Sequence, residues 1–546
     1  MAAIEELADS MRKPVPDPNS TIIFVSITLG LLLPQTQNRD GRLSSNFDMK
    51  ENLIRYSEEM MENGLRKFGW SGMVQCILVS SAMYFDAQQS FMAIYSDDYP
   101  TWHCTDLTTC TSHSNICNIP KSSWAWDGPS SKTIISEFDL ECSSSFITGL
   151  PQSSFFLGCF LGSFLLASLA DTSLGRKNLL ILSCFCMSLA SIMIVFSTNV
   201  WTYSALKFLI AFSRSSVGTC VLVLLTEKVS TEWRFTVGIV EYLCFTLGYM
   251  ALPGIAYLNR NSSWKSLYVW TSVPAICYSL FAHLFVTESP RWLLMQGREQ
   301  EAMAMLTGIS NYLVENDPNL TASLLKVPIV KQNSSIFQLY SSIAELFERS
   351  WALKRTVAIM VLGLWVGMVY FAMPLAVGNL GFDIYLAVVF YAFLEIPSCV
   401  ATYFLENYRR KPSILAFAVA SGICCILCAI VGTGLQVAKV GISLVAFFSV
   451  VTAYNVFLLY IIELFPTSVR NTTTSLVRQA VVFGNIFSPF FVSAGRKNDI
   501  FSYGLFGVVI ISSSLALLCL PETIGIALCD TMDQQEIKDK ISAPNV

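Results

Sequence analysis

The chain has 546 residues, of which 53% are hydrophobic and only 14% charged, with a net charge of −4. Soluble domains carry about 25% charged residues. Here the apolar residues come in repeated blocks of about 18 to 27, each able to cross a ~30 Å hydrocarbon core as a helix. That pattern makes a polytopic membrane protein and excludes a soluble enzyme, a nucleic-acid binder or a secreted disulfide module as readings of the whole chain.

Residues 1–68 precede the first span and read as a cytoplasmic N-terminal segment. Their apolar run at 21–33 lies behind Arg12 and Lys13 but is too short to span, and no A-x-A-like cleavage site follows. An interfacial or irregular segment is the preferred reading over a signal peptide. Six spans are predicted at about 70–95, 145–170, 178–197, 200–226, 235–257 and 265–287, forming an N-terminal half over 69–287. A polar linker with helical segments occupies 288–354. Six more spans follow at about 356–376, 382–404, 412–434, 438–462, 472–494 and 500–520, forming a C-terminal half over 355–521 with a tail at 522–546. The expected fold is therefore all-α, with twelve transmembrane helices in two six-helix bundles.

Basic residues orient the chain. One set of alternating loops holds 15 Lys and Arg, including Arg176, Lys177, Arg234, Arg410 and Arg470; the opposite set holds 7. The first set is placed in the cytoplasm, with both termini. The loop at 96–144 is then non-cytoplasmic, and its Cys104, Cys110, Cys117 and Cys142 suit one or two disulfides in any of three pairings. His103 and His113 among them make zinc the sharper alternative, but neither C-x-x-C nor H-x-x-x-H spacing is present, and no metal is expected.

The two halves repeat a charge pattern. Asp171, Glu227 and Glu288 recur as Glu406, Glu463 and Glu522 at offsets of 235, 236 and 234 residues, and Glu227 to Arg234 and Glu463 to Arg470 both span seven positions. Such register implies a duplicated six-helix unit of the kind found in major facilitator transporters. A gating function is expected for Asp171, Gly175, Arg176, Lys177, Glu227, Arg234, Glu288, Arg291, Glu406, Arg410, Glu463, Arg470 and Glu522, by charge pairing across the halves at the cytoplasmic ends. Plain positive-inside anchoring is the blander reading.

At the level of motifs, ADTSLGRK (170–177), EFDLEC (137–142), ESPRWLLMQGR (288–298), ELFPTSVRN (463–471) and LPETIG (520–525) together resemble the organic cation, anion and zwitterion solute carriers of the major facilitator superfamily. FDAQQSF (85–91) and DYPTWHC (98–104) look like the plant branch, the organic cation/carnitine transporters. The chain departs from that pattern at Ala167, at Ala211 and at Arg214, where small or glycine residues are expected. An arginine inside a span is costly unless it is paired or faces water.

The same cost identifies site candidates. Charge or proton coupling falls to Asp86, Lys207, Arg214, Glu241 and Glu395, with Glu241 expected to neutralise Arg214 across adjacent spans. Substrate binding falls to Gln88, Trp365, Tyr370, Phe371, Tyr391, Tyr454, Asn455 and Arg478, because aromatic faces hold quaternary ammonium groups and a guanidinium fork holds carboxylates. By resemblance, Arg478 occupies the eleventh-span position where cation carriers have an acid and anion and carnitine carriers have arginine. The expected function is transport of organic cations or carnitine-like zwitterions by alternating access, compatible with proton coupling. An organic-anion carrier and a substrate-sensing receptor on a transporter scaffold are the alternatives. H-E-x-x-H, G-x-S-x-G and P-loop patterns are absent, so neither catalysis, a cofactor nor direct ATP use is expected. The expected partners are a small organic substrate and the bilayer, without nucleic acid, for a monomer in the plasma or vacuolar membrane.

Overall fold

The computed structural model describes residues 65, 69–106, 110–111, 115–167, 174–298, 301–302, 343–405, 407–431, 435–496, 500, 502–524, 529 and 531–542. The apolar run at 21–33, His113, Asp171 and Glu406 lie outside them. Helix α1 (Trp70–Phe91) comes first, and Gln75, Asp86, Gln88 and Gln89 lower its hydropathy. Among the described residues, ten helices after it are long and apolar enough to cross a membrane by length and composition. They are α2 (Ser145–Leu166), α3 (Arg176–Phe196), α4 (Val200–Lys228), α5 (Thr231–Leu258), α6 (Trp264–Phe285), α7 (Ser350–Leu375), α8 (Ile384–Leu405), α9 (Arg410–Ile430), α10 (Gln436–Leu464) and α11 (Thr467–Gly495). The shorter apolar helix α12 (Tyr503–Cys519) completes the set of twelve predicted spans.

Packing repeats with a period of six helices. In the first half α1 packs on α5, α2 on α4, and α3 on α6; in the second, α7 packs on α11, α8 on α10, and α9 on α12. Across the halves α5 meets α8 and α2 meets α11, which are themselves equivalent pairs. The repeat extends to single residues. A Cβ on Gly248 of α5 would strike the carbonyl of Tyr84 on α1, and one on Gly484 of α11 would strike the carbonyl of Leu364 on α7. Without a hydrophobic drive between helices in lipid, such close backbone contact supplies the packing.

The loop between α1 and α2 forms a small cap at one end of the bundle, the outer end of the expected orientation. Strand β1 (Trp102–Cys104) pairs antiparallel with β2 (Trp124–Trp126), Trp102 opposite Trp126. Among the three pairings left open by the sequence, the structure has Cys104–Cys110 and Cys117–Cys142. Glu137 anchors the cap to the start of α6: it accepts from Trp264 Nε1 at 2.6 Å and pairs with Lys265 at 2.6 Å.

Candidate functional site: a charged, aromatic centre between the two halves

At mid-depth in the first half, α1 and α4 share a bidentate ion pair. Arg214 Nε donates to Asp86 Oδ1 at 2.7 Å and its Nη2 to Oδ2 at 2.6 Å, with the guanidinium over the Phe155 ring. Arg214 is thus neutralised by Asp86, not by Glu241 as expected. The reason is reach: α4 breaks at Ser215–Ser216 directly after Arg214, and α1 packs against that segment. Lys207 is also buried, its Nζ 5.6 to 5.9 Å from the ring centres of Phe155, Tyr203 and Tyr268 and within electrostatic reach of Asp97. Tyr203 donates to Asp97 Oδ1 at 2.7 Å, which closes this network. Gln88 is buried on α1, while the neighbouring Gln89 accepts from Ser191 on α3.

The second half presents aromatics. Tyr370 of α7 stacks on Tyr454 of α10 at 5.1 Å and meets Phe371 edge-on at 4.8 Å; Phe371 in turn meets Phe156 of α2. Glu395 of α8 is fully buried and accepts from Tyr370 at 2.9 Å and from Tyr242 of α5 at 2.6 Å. The Tyr242 contact crosses between the halves. Trp365 is half-buried, and Asn455 donates to Ser398 at 3.4 Å. Tyr391 departs from expectation. It is 0% exposed, packs on Phe447 at 4.6 Å and faces Ser443, Tyr503, Cys425 and Cys428 within the second half. Its azimuth on α8 turns it toward α9, α10 and α12 and away from the first half.

Arg478 of α11 and Glu241 of α5 remain. Neither makes a hydrogen bond or ion pair among the described residues, and each lies within electrostatic reach of the other. Arg478 is exposed, and its Nη2 would sit 3.8 Å from a Cβ on Gly218 of α4, beside Met83 of α1. The guanidinium therefore projects from the second half toward the first.

At the basic end, the repeated charges form two matching clusters. Arg176 pairs with Glu227 at 3.4 Å, and Arg410 pairs with Glu463 at 2.9 Å. Glu288 accepts from the Lys177 and Ser289 backbone N–H groups, and Glu522 from those of Arg410, Lys411 and Thr523. Each glutamate thus caps the N-terminus of α3 or α9, where a carboxylate is favoured by the helix dipole. Gly175 has φ +82 at the first cap, and a Cβ there would collide with Glu288. Arg470 donates to the Phe465 carbonyl at 3.4 Å, and Arg234 and Arg291 are half-buried. In this conformation, closed at the outer end, Arg176–Glu227 and Arg410–Glu463 join helices of one half, whereas the expected pairing across the halves belongs to the state closed at the basic end. Their partners lie one helix away in the same bundle, so the carboxylates are already engaged in this conformation.

At the outer end the halves meet through a contact that sequence reasoning missed. Arg496, at the end of α11, donates to the Asp97 carbonyl at 2.9 Å and lies over the Tyr99 ring. The Asp98 carboxylate abuts the backbone at Gly378, between α7 and α8. Removal from water pushes Asp98 up to about 6, against the pull of Arg496 and Lys132. Tyr385 stacks on Tyr95, and Phe490 on Phe146, across the same seam. These contacts hold the outer end closed. The cues available in sequence were the paired Asp97–Asp98 and the Arg496–Lys497 pair after an apolar span.

Comparison with known proteins gives consistent relatives. Residues 73–533 match the family described as sugar (and other) transporter. The chain is 45% identical over 506 residues to organic cation/carnitine transporter 3 of Arabidopsis thaliana, covering 91% of this chain and 97% of that protein. It is 42% identical over 511 residues to organic cation/carnitine transporter 2 of the same plant, covering 91% and 96%. Organic cation/carnitine transporter 2 of Homo sapiens is 31% identical over 74% of this chain and 71% of its own length. In fold, the chain resembles the inward open conformation of the xylose transporter XylE from E. coli, with a TM-score of 0.59 at 13% identity, covering 86% of this chain and 100% of that one.

Proposed function

The chain belongs to the organic cation/carnitine transporters within the sugar (and other) transporter family, and is a multi-pass membrane transporter and not an enzyme; from that premise we propose that it carries small organic cations or zwitterions of the carnitine type by alternating access. The observation that carries this reading is Arg478, a guanidinium between the halves with no hydrogen bond or ion pair among the described residues, within electrostatic reach of Tyr454, which stacks on Tyr370. A carboxylate gains a bidentate, charge-assisted contact from such a fork. Aromatic faces attract quaternary ammonium at about 0.5–2 kcal/mol each. A simple cation finds the rings but meets repulsion from Arg478, so zwitterions are favoured. Organic anions are the second reading, favoured by the same arginine.

The orientation, with the disulfide-bridged cap outside and the basic end and both termini in the cytoplasm, rests on the distribution of Lys and Arg. Proton coupling is assigned to the buried carboxylates of the centre, in a monomer of the plasma or vacuolar membrane. The test is uptake of labelled carnitine and tetraethylammonium at two external pH values, with the protein located by microscopy. Arg478→Lys is expected to weaken carnitine uptake less than Arg478→Ala, and Arg478→Asp to abolish it while improving tetraethylammonium. A carnitine to tetraethylammonium ratio that stays constant across the three variants reduces Arg478 to a tether.

A further inference from the structure

The charges at the centre are not equally available to a substrate. Asp86 is occupied at both oxygens by Arg214, and Glu395 by two tyrosine hydroxyls. Lys207 is enclosed by three rings. That leaves Glu241 and Arg478, which alone among the candidate charges of the centre make no hydrogen bond or ion pair among the described residues. They belong to equivalent helices of the repeat. α5 begins at Thr231 and α11 at Thr467, so Glu241 is ten residues along its helix and Arg478 eleven along its own. At 1.5 Å per residue both lie about 15–17 Å from the basic end. Opposite charges thus stand at one depth on the two halves, in electrostatic reach yet not in contact.

A charge inside a span persists when it is paired or faces a watery cavity. Here each lacks a hydrogen-bond or ion-pair partner among the described residues, and their signs match the two ends of a dipolar molecule. Resting on the carnitine-type reading given above, we propose that Glu241 is the specificity residue for the cationic pole: a zwitterion docks its carboxylate on Arg478 and its ammonium on Glu241. The substrate then bridges the two halves at mid-depth. A ligand with one charge leaves the opposite residue uncompensated, so the site selects for zwitterions over singly charged analogues. The Asp86–Arg214 pair, satisfied internally, contributes no net charge to that choice.

The experiment is carnitine uptake by cells expressing the full chain, with KM measured in wild type, Glu241→Gln and Arg478→Ala and normalised to membrane expression. The competitor is 3-hydroxybutyrate, the carnitine skeleton without its ammonium group. Glu241→Gln is expected to raise KM for carnitine on the order of tenfold, the scale of one close charge pair in a partly shielded site. Competition by 3-hydroxybutyrate should hold or tighten, because repulsion by Glu241 is gone. Arg478→Ala should weaken both ligands. A KM for carnitine unchanged in Glu241→Gln, or an equal weakening of both ligands, overturns the assignment. If Glu241→Gln does not reach the membrane, Glu241→Asp replaces it: a withdrawn carboxylate should give an intermediate KM, and a wild-type KM overturns the proposal. Wild type that neither takes up carnitine nor is thermally stabilised by it, once purified, overturns the functional reading itself; carnitine uptake with an indifferent Glu241 overturns only this assignment.

Discussion

Arg214 and Asp86 illustrate how a residue-scale contact decides whether an unusual charge serves binding or structure. Both side chains are largely buried, and the pair is bidentate, so removing one partner leaves the other uncompensated. Breaking a buried pair costs about 3–5 kcal/mol, whereas replacing both members is often neutral. Asp86→Asn and Arg214→Leu are therefore each expected to lower the melting temperature and the monodisperse yield of detergent-solubilised protein. The double variant Asp86→Leu/Arg214→Leu should recover most of that loss. Additive losses in the double variant would separate the two residues energetically. The same logic accounts for an arginine inside α4: Asp86 compensates its charge locally.

The element scale concerns how helix ends and the outer cap are held. Glu288 and Glu522 cap α3 and α9, and the adjacent Arg–Glu pairs tie these caps to α4 and α10. Within-half pairing makes these clusters struts of each bundle. Glu463→Gln leaves the buried Arg410 without its carboxylate and is expected to lower thermal stability at any substrate concentration. The loss should be about 3 kcal/mol or more, read by thermal unfolding of the purified protein. A change in maximal uptake rate with unchanged stability would instead favour the gating reading. In the cap, the two disulfides close loops of 6 and 25 residues. Loop-closure entropy ranks them, with about 2 and 3.5 kcal/mol, so losing Cys117–Cys142 should cost more. The four cysteines were legible as bridge formers from their clustering in one outer loop. Their pairing was not, since it depends on how the loop folds back to bring Cys117 to Cys142 across 25 residues.

On the scale of the whole molecule, the seam around Arg496 holds the outer end closed. Asp98 faces Arg496 and Lys132 together with the Tyr95 and Tyr385 hydroxyls. Its affinity for a proton is raised to about 6 in the closed seam, against an ordinary value of 3.8 once opened to water. The closed state thus binds the proton more tightly, and acid favours it. That contribution is fully present below about 3.8 and fades as pH rises through about 6. Outer acidification from pH 7 to 5 is expected to reduce labelling of a cysteine placed on the cavity side of the seam by an impermeant thiol reagent. Asp98→Asn should give low labelling at both pH values, and Arg496→Ala should raise labelling at both. Equal pH response in wild type and Asp98→Asn would remove Asp98 from the seam's energetics.

The spans, the duplication and the family were all legible in the chain itself, because hydropathy and repeated motifs are written along it residue by residue. Twelve apolar blocks coincide with α1–α12, and the offsets of 234 to 236 residues between acids reappear as matching capped clusters. Arg478 was legible as a candidate from its place in the eleventh span, since a charge inside a span stands out without any structure. Partner choice was decided only by the tertiary structure. Asp86 and not Glu241 meets Arg214, Tyr391 turns into the core of its own half, Tyr242 reaches across to Glu395, and Arg496 closes the outer end. The reason is geometric. Each of these depends on the azimuth of a side chain around its helix and on which helix lies opposite, and both are set by how twelve similar apolar cylinders pack against one another.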